Sequence, residues 1–239
     1  MKTILISGGE SKFAKEIIIQ NSEFKIYALS KSEMDVTNLD DIIKNIKKYN
    51  PDYFIHTAAL SRPMINHKIY PDVSINTNII GTSNCVLACI KYNIKLIYIS
   101  TDFVYPGIEG NYSEEDSLLP INEYAWSKLG GECALFLYDN SLIVRTAMVE
   151  VPYPHPKALT DVKKSLIQYS EAANILLRVL DERGVLNIGT YSDTIYNHVK
   201  KIDPEIEKIT KSEINDVSMA NDSSMNVDKL KQILDDTII

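Results

Sequence analysis

Short runs of consecutive apolar residues alternate along the chain with longer stretches in which apolar residues recur every three or four positions. The short runs predict strands at Thr3–Ser7, Lys25–Leu29, Tyr53–Thr57, Lys95–Ile99, Leu142–Arg145 and Val185–Ile188. The longer stretches predict helices that begin near Phe13, Leu39, Ile75, Glu123, Asp161 and Thr194, with a last short helix near Val227. Asn38 and Asp40 are candidate caps of the second helix. This alternation, with strands apolar on both faces, indicates βαβ units and a mostly parallel sheet.

The predicted fold class is therefore α/β, a Rossmann-like doubly wound parallel sheet followed by a small C-terminal lobe. Three prolines within Val151–Pro156 exclude a helix or a central strand there, and they mark the change between the two parts. We predict a core at residues 1–150 and a small lobe at residues 151–239. The boundary is soft, because the strand predicted at Val185 returns to the sheet after the proline segment.

Composition and charge narrow the class of protein. Of the 239 residues, 45% are hydrophobic and 24% are charged, as in an ordinary folded domain. The net charge is -7 and Lys and Arg form no basic stripe, so no nucleic-acid partner is expected. No apolar run approaches the roughly 20 residues of a membrane span, and the N-terminus enters a strand without a signal-peptide pattern. We therefore expect a cytoplasmic protein without a membrane partner.

The three cysteines, Cys85, Cys89 and Cys133, have no Cys-x-x-Cys spacing and no histidine cluster nearby. Neither a disulfide nor a metal site is predicted. Cys85 and Cys89 are one helical turn apart in an apolar stretch, where free cysteine packs as a small hydrophobic residue. We expect both in the core.

The segment after the first predicted strand is a candidate phosphate-binding turn. Glycine permits positive φ and a close approach of the backbone to phosphate, and the following helix N-terminus offers unpaired N–H groups. The candidate contacts to a dinucleotide here are Gly8, Gly9, Ser11, Lys12, Phe13 and Ala14. Short glycine motifs recur by chance, so an ordinary strand-to-helix turn is the alternative.

Two further strand ends are candidate cofactor contacts. Ser30 and Lys31 follow the second strand, where an acidic residue would bind the ribose 2′-hydroxyl of NADH. A lysine there favours the 2′-phosphate of NADPH, although a solvated loop lysine is equally compatible with the sequence. The small residues Thr57, Ala58 and Ala59 end the third strand and leave room for a cofactor. The predicted cofactor is NADPH, with NADH as the alternative.

The fourth strand ends in Ser100 and Thr101, at the sheet edge where open α/β folds bind ligands. Tyr124 and Lys128 follow on the next helix, and residues four apart share one helix face. We expect Lys128 to hold the nicotinamide ribose and to lower the pKa of Tyr124, which would protonate a substrate carbonyl. Thr101, assisted by Ser100, would hydrogen-bond the same oxygen. Alone, a Tyr-x-x-x-Lys pair is common at surfaces, but its context favours catalysis.

These motifs, in this order, resemble the dTDP-4-dehydrorhamnose reductase family, the sugar-nucleotide 4-ketoreductases of the extended short-chain dehydrogenases. The most specific stretch is Ser100–Gly107, which is similar to the family's S-T-D-Y-V-F-x-G segment. The resemblance covers residues 1–148 and also rests on Glu114, Pro120, Tyr124, Lys128, Gly131, Glu132, Arg145 and Thr146. One departure is Ser11, which stands where the family's T-G-x-x-G-x-x-G turn has its middle glycine.

The resemblance implies reduction of the 4-keto group of a nucleotide-linked 6-deoxyhexose by NADPH or NADH. It adds Asp35, Val36 and Asn76 to the cofactor contacts. We expect substrate contacts at Ser61, Thr101, Asp102, Phe103, Arg145 and Lys157. The resemblance weakens after Pro152, and the lobe is shorter than in typical members. The identity of the sugar and of the nucleotide therefore stays open, and a homodimer is a possible oligomeric state.

Two other functions are compatible with the sequence. A non-catalytic NADP-binding regulatory or interaction module is one, because the family also resembles the regulatory subunit of methionine adenosyltransferase; Ser11 and the shortened lobe favour it. A sugar-nucleotide epimerase or dehydratase is the other. Dehydratases of this class carry a further acid after the position of Asp102, where this chain has Phe103. The intact set of Thr101, Tyr124 and Lys128 favours simple reduction.

Overall fold

The computed structural model describes residues 1–214 and 219–234. Its strands are β1 (Thr3–Ser7), β2 (Lys25–Leu29), β3 (Tyr53–His56), β4 (Lys95–Ile99), β5 (Ser141–Val149), β6 (Lys157–Leu159), β7 (Lys163–Lys164), β8 (Leu166–Gln168), β9 (Gly184–Ile188), β10 (Asp193–Thr194) and β11 (Glu207–Ile209). Its helices are α1 (Lys12–Gln20), α2 (Leu39–Tyr49), α3 (Asn66–Ile69), α4 (Pro71–Ser74), α5 (Gly81–Tyr92), α6 (Glu123–Leu135), α7 (Tyr169–Arg178), α8 (Ile195–Lys200), α9 (Lys211–Ile214) and α10 (Asp228–Ile233).

The central sheet is parallel and has the order β2-β1-β3-β4-β5. Strand β5 then pairs with β9 along Leu142–Thr146 and with β8 along Ala147–Val149. The chain passes from β1 to β2 on one side and then to β3 on the other. This reversal opens a crevice above the carboxyl ends of β1 and β3, where open α/β sheets bind ligands. The predicted Rossmann-like class is confirmed.

Both faces of the sheet are covered, which explains why its strands are apolar throughout. Helices α1, α7 and α10 pack on one face in a core with β1, β3, β4, β5 and β9. Helices α2, α5 and α6 pack on the other. Cys85 and Cys89 lie fully buried in this second core, as expected, whereas Cys133 is exposed. Asn38 is the N-cap of α2 and accepts from the N–H groups of Asp40 and Asp41.

Helices α4 and α5 are joined by a π-helical segment at Ile75–Ile80, so that Pro71–Tyr92 is one continuous helix. By length and composition this helix is apolar enough to cross a membrane, which corrects the expectation that no segment reaches that length. About 44% of its most apolar window is buried inside the protein. Its α5 part packs on α2, α6 and the sheet, as core helices of folded domains do.

The helix predicted near Asp161 is wrong. The chain there forms β7 and β8, and the helix begins only at Tyr169. Burial alternates between exposed Lys163 and buried Lys164, which fits a strand. The Asp161 carboxylate instead accepts from the N–H of Lys211, 2.9 Å away, at the start of α9. Asp161 thus caps a helix that is distant in sequence.

The segment after β5 forms a second, smaller hydrophobic cluster. Its buried members are Ala147, Val149, Ala158, Leu159, Val162, Leu166, Ile195, Val199 and Ile206. Two small sheets, β6 with β11 and β7 with β10, frame it together with α8. The proline segment Val151–Pro156 has no helix or strand, as predicted. Because β8, α7 and β9 return to the main sheet, the division at residue 150 stays a prediction.

Candidate active site

A cleft of about 600 Å3 lies over the carboxyl ends of the central strands. It brings together these sequence-predicted residues: Ser11, Lys12, Phe13, Thr57, Ala59, Ser61, Ser100, Thr101, Asp102, Phe103, Tyr124 and Lys128. It is also lined by residues that the sequence did not single out for the site, among them Arg62, Met148, Glu150, Tyr153, His155, Lys164 and Tyr169. The catalytic candidates and the phosphate turn therefore open into one space.

The phosphate turn is too tight for side chains at its two glycines. Gly8 has φ +70°, and a β-carbon there would lie 2.7 Å from the Cα of Ala58. A β-carbon on Gly9 would lie 2.5 Å from the carbonyl carbon of Ala28. Both contacts are closer than real β-carbons make, so only glycine fits. The turn after β1 therefore packs directly against the backbone at the ends of β2 and β3.

Ser11 accounts for the missing middle glycine. Its φ is -63°, so no glycine is required, and it is the N-cap of α1. Its hydroxyl accepts from the N–H of Ala14 at 3.1 Å and lies 3.1 Å from the hydroxyl of Thr57. The N–H groups of Lys12 and Phe13 have no acceptor within the described residues, as at most helix starts. The turn therefore fits the diphosphate of a dinucleotide.

The end of β2 holds an acid that the sequence analysis missed. The N–H and the hydroxyl of Ser30 donate to Glu33 Oε2 at 2.9 and 2.8 Å, beside the exposed Lys31. Asp35 accepts from Thr37, outside the cleft. The spacing Ser30-x-x-Glu33, which is typical of a capped turn, could have identified this acid from the sequence. The ammonium of Lys31 and the carboxylate of Glu33 therefore lie at the sheet edge where the ribose of a dinucleotide would bind.

Other predicted cofactor contacts lie in the packing around the cleft. Val36 is buried against Gly81, where a β-carbon would come within 2.8 Å of its side chain. Ala14 is fully buried in the core. Asn76 is exposed and does not line the cleft. Asn76 and its neighbours belong to the π-helical segment, which turns different positions inward than a regular α-helix would.

Asn78 is the asparagine that this segment turns toward the site. It is buried, donates to the Leu60 carbonyl at 2.9 Å and the Ser127 hydroxyl at 2.8 Å, and accepts from the Leu60 N–H at 2.8 Å. Gly131 of α6 packs closely here, since a β-carbon on it would lie 3.0 Å from the Asn78 carbonyl oxygen. Asn78 thereby fixes α6, which carries the catalytic candidates, against the loop after β3.

Thr101, Tyr124 and Lys128 meet at the floor of the cleft. All three line the cleft, and the Thr101 hydroxyl lies near enough to the Tyr124 phenol to lower its pKa. Lys128 is buried, and its ammonium lies 4.0 Å from the ring centroid of Tyr98. It has no hydrogen-bond acceptor within the part of the chain that the structure describes. The ammonium is therefore available to a bound molecule.

The expected lowering of the Tyr124 pKa by Lys128 is wrong for this structure. Burial raises the pKa of Tyr124, the charge of Asp102 raises it further, and the Thr101 hydroxyl opposes both effects. Burial also lowers the pKa of Lys128 to about 7, with Glu132 opposing the shift. Near neutral pH, Lys128 is thus only partly charged, which weakens its pull on the phenol.

The depressed pKa of Lys128 predicts a pH-dependent stability. Between pH 7 and 10.5 the unfolded chain binds a proton that the folded protein does not, so stability falls as the pH falls through this window. Lys128→Met removes this cost. We expect it to raise the free energy of unfolding by about 2–4 kcal/mol near pH 6 and by much less near pH 10.

Denaturant unfolding of the ligand-free protein at both pH values measures this effect. Lys91→Met, at an exposed position of α5, is the control and should change stability equally at both. A Lys128→Met effect that does not depend on pH would show that packing, and not charge, is responsible.

Arg145, predicted to contact substrate, is fully enclosed beneath the cleft. It forms a bidentate ion pair with Glu132, with Nη2 2.8 Å from Oε2, and donates to the Tyr105 hydroxyl at 2.9 Å. The side chains of Arg145 and Glu132 are 1% and 0% exposed. Ser100 donates to the same carboxylate. The assignment of Arg145 to substrate is therefore wrong, because no solvent path reaches it.

Lys157 is also outside the cleft. It lies on β6, exposed, and pairs with Glu207 of the neighbouring β11 at 3.2 Å. The lysine that the small lobe does contribute is Lys164, which forms an ion pair with Asp102. At the cleft mouth, Glu150 pairs with Lys12 and with Arg62. Lys164 follows the proline segment, and Glu150 and Arg62 lie in loops, where sequence pattern gives little guidance.

With this geometry described, the chain can be compared with known proteins. A dTDP-4-dehydrorhamnose reductase from Aggregatibacter actinomycetemcomitans is 27% identical over 189 residues, 77% of this chain and 62% of that protein. Rat methionine adenosyltransferase 2 subunit beta is 31% identical over 116 residues, 48% of this chain and 34% of that protein. The chain thus matches less than two thirds of the length of these curated relatives.

A solved structure shares the whole fold. The crystal structure of dTDP-4-dehydrorhamnose reductase from Bacillus anthracis, in complex with NADP, superposes with a TM-score of 0.87 at 22% identity. The superposition covers 97% of this chain and 92% of that one. The sequence model of the family described as the RmlD substrate binding domain matches residues 1–173, which include the phosphate turn, the ends of β3 and β4, and the Tyr124–Lys128 pair. This chain belongs to the RmlD substrate binding domain family.

Proposed function

We propose that the protein is an NAD(P)H-dependent oxidoreductase that reduces the 4-keto group of a nucleotide-linked 6-deoxyhexose in deoxysugar biosynthesis. The observation that carries the proposal is the convergence of Thr101, Tyr124 and Lys128 in a cleft that also reaches the phosphate turn. Hydride transfer to a carbonyl needs a proton donor, an orienting hydroxyl and a dinucleotide site within one space. The described residues supply all three.

The residues fit a nicotinamide dinucleotide. Gly8, Gly9 and the free N–H groups at the start of α1 would hold the diphosphate through the backbone. Lys31 would bind a 2′-phosphate, which favours NADPH with NADH as the alternative. Lys128 would hold the nicotinamide ribose. The bound dinucleotide supplies the hydride.

The protein's own groups perform the proton chemistry. Tyr124 holds its proton at neutral pH, since burial raises its pKa, and it donates that proton to the carbonyl oxygen as negative charge develops there. Thr101 fixes the position of the same oxygen by a hydrogen bond. Lys128 approaches the developing tyrosinate and stabilises it when protonated. Glu132 and Arg145 hold Ser100 and the end of β4 in place from below.

The substrate side of the cleft is assigned to Ser61, Asp102, Phe103 and the small lobe. The Thr146 hydroxyl also lines the cleft, is buried, and has no partner within the described residues. An unpaired buried hydroxyl is costly unless a bound molecule pairs with it, which fits a sugar hydroxyl. In this proposal residues 1–150 form the dinucleotide-binding core, and residues 151–239 form a shortened substrate lobe. We assign the enzyme to the cytoplasm.

The test is oxidation of NADPH by the purified protein with a panel of nucleotide-linked 4-keto-6-deoxyhexoses, together with direct binding of NADPH and NADH. Turnover of one sugar nucleotide supports the reductase and names its substrate. Failure to bind either dinucleotide overturns the proposal.

A second candidate function is a non-catalytic NADP-binding module of a protein complex. The observation in its favour is the likeness to methionine adenosyltransferase 2 subunit beta. Tight cofactor binding without turnover of any sugar nucleotide would favour this function over the reductase.

Cofactor preference is testable at Lys31. Lys31→Asp puts a second carboxylate beside Glu33. The new carboxylate should repel a 2′-phosphate and should accept a hydrogen bond from a 2′-hydroxyl. We expect the NADPH to NADH ratio of kcat/KM to fall by about tenfold or more, a change of about 1.4 kcal/mol. Lys47→Asp, an equal charge change on exposed α2, is the control. An unchanged ratio in Lys31→Asp would assign the discrimination to another residue.

A further inference from the structure

A second buried ion pair lies beside the proton donor. Lys164 Nζ pairs with Asp102 Oδ2, and the two side chains are 7% and 3% exposed. Ser223 joins them: its hydroxyl donates to Asp102 Oδ2 at 2.6 Å and accepts from Lys164 Nζ at 3.1 Å. The ammonium also lies 3.8 Å from the ring centroid of Phe103. Both charged residues line the cleft, but Lys164 belongs to none of the recognised motifs.

The pair joins segments that are far apart in the chain. Asp102 opens the short 3₁₀ turn Asp102–Val104 that follows β4. Lys164 lies on β7, whose other neighbours are β10 and the segment around Asp222. Ser223 follows Asp222 directly. The residues after the proline segment thus place a positive charge next to the end of β4.

The pair is connected to the proton donor. Thr101 donates to Asp102 Oδ1 at 3.2 Å, and Thr101, Asp102 and Tyr124 line the same cleft. The charged and titratable groups that face Tyr124 are Asp102, Arg62, Tyr169, the ring of His67 and Lys128. Of these, the carboxylate of Asp102 is the one that opposes formation of a tyrosinate most strongly.

We propose that Lys164 is a positioning residue for proton donation: by pairing with Asp102 it offsets the negative charge beside Tyr124 and leaves the Thr101 proton available to the substrate oxygen. This role rests on the proposed reductase function. When Tyr124 gives up its proton, negative charge forms next to Asp102, and a paired carboxylate opposes that charge less than a free one. A carboxylate that already accepts from Lys164 and Ser223 also competes less for the Thr101 hydrogen.

The kinetic test compares Lys164→Met, Lys164→Arg and the double variant Asp102→Asn/Lys164→Met. We expect Lys164→Met to lower kcat about 10- to 100-fold near pH 8, because the Asp102 carboxylate is left without its cationic partner. Lys164→Arg should keep most of the activity. The double variant removes both charges and should regain at least tenfold over Lys164→Met at pH 8. Lys163→Met, on the exposed neighbour in the same strand, should match wild type throughout.

A second readout is independent of turnover. Difluorotyrosine at position 124, whose phenol is more acidic than that of tyrosine, allows a fluorine NMR titration of this one group. Lys164→Met should raise its pKa by about 1–2 units, and Asp102→Asn/Lys164→Met should reverse the shift. The double variant contains no unpaired buried charge, so it also gives a readout if the single variant fails to fold.

The outcomes separate the two proposals. A shifted titration without reduction of any sugar nucleotide supports the role of Lys164 and counts against the reductase. Reduction by wild type with an unshifted titration in Lys164→Met overturns the role of Lys164 and leaves the reductase standing. A double variant whose kcat and whose titration at position 124 both match those of Lys164→Met would show that the lysine only holds the lobe in place, which also overturns the proposal.

Discussion

Tyr124→Phe is expected to lower kcat by about 10²- to 10⁴-fold while the Kd for NADPH changes less than about twofold, since general acid catalysis contributes that much to such reactions. Only the hydroxyl is lost. The ring keeps its packing against His67, whose centroid lies 5.2 Å away, so the cleft keeps its shape. Steady-state NADPH oxidation with the identified sugar nucleotide gives kcat, and a direct binding titration gives the Kd.

Trp126→Phe is the matched control for this experiment. Trp126 lies on the same helix α6 but is exposed, so its loss should leave kcat nearly unchanged. If Tyr124→Phe retains the turnover of wild type, the proton comes from another donor such as water, and the assignment of Tyr124 fails. If instead both kcat and cofactor binding collapse, the tyrosine shapes the cleft and its chemical role is unproven.

Arg145→Met is expected to lower the free energy of unfolding by about 3–5 kcal/mol, the usual cost of leaving one partner of a buried ion pair uncompensated. Glu132 is fully buried, so water cannot solvate its carboxylate when Arg145 is removed. The loss also removes the donor to the Tyr105 hydroxyl, although Tyr105 keeps its bond to Asn187 at 2.9 Å. Equilibrium denaturant unfolding near neutral pH measures the change.

Two further variants make this result interpretable. Lys157→Met breaks an exposed pair with Glu207, and exposed pairs contribute about 1 kcal/mol or less, so stability should barely change. Glu132→Leu/Arg145→Met removes both buried charges and should recover much of the loss, because apolar replacement of a whole buried pair is often neutral. A small effect of Arg145→Met alone would mean that water reaches Glu132.

The fold was largely predictable because the inner strands β1, β3 and β4 are buried on both faces. A buried parallel strand needs consecutive apolar residues, and β1, β2 and β4 were predicted to the residue. Strand β5 was predicted four residues too short at its end, because its second half leaves the main core and packs in the smaller cluster. Helix α2 was predicted from the amphipathic pattern and the Asn38 cap.

The catalytic candidates were also accessible from sequence, since Tyr124 and Lys128 are fixed relative to each other by one helix turn. Contacts between distant segments were not. Lys164 meets Asp102 across 62 positions, and Ser223 meets it across 121. The local pattern of apolar and polar residues does not predict contacts between residues so far apart in the chain. The family resemblance assigned Asn76 to the cofactor, whereas the π-helical segment buries Asn78 instead, an irregularity that sequence spacing does not reveal.

Strand β5 also has a consequence for synthesis of the chain. Its nine residues pair with β4, which precedes it, but also with β9 and β8, which the ribosome makes later. Until Ile188 has emerged, the side of Leu142–Thr146 that β9 will cover presents unpaired backbone groups flanked by apolar residues. Nascent chains with such open strand edges are prone to mispairing. The synthesis of β8 and β9 therefore decides whether β5 pairs within its own sheet or with a neighbouring polypeptide.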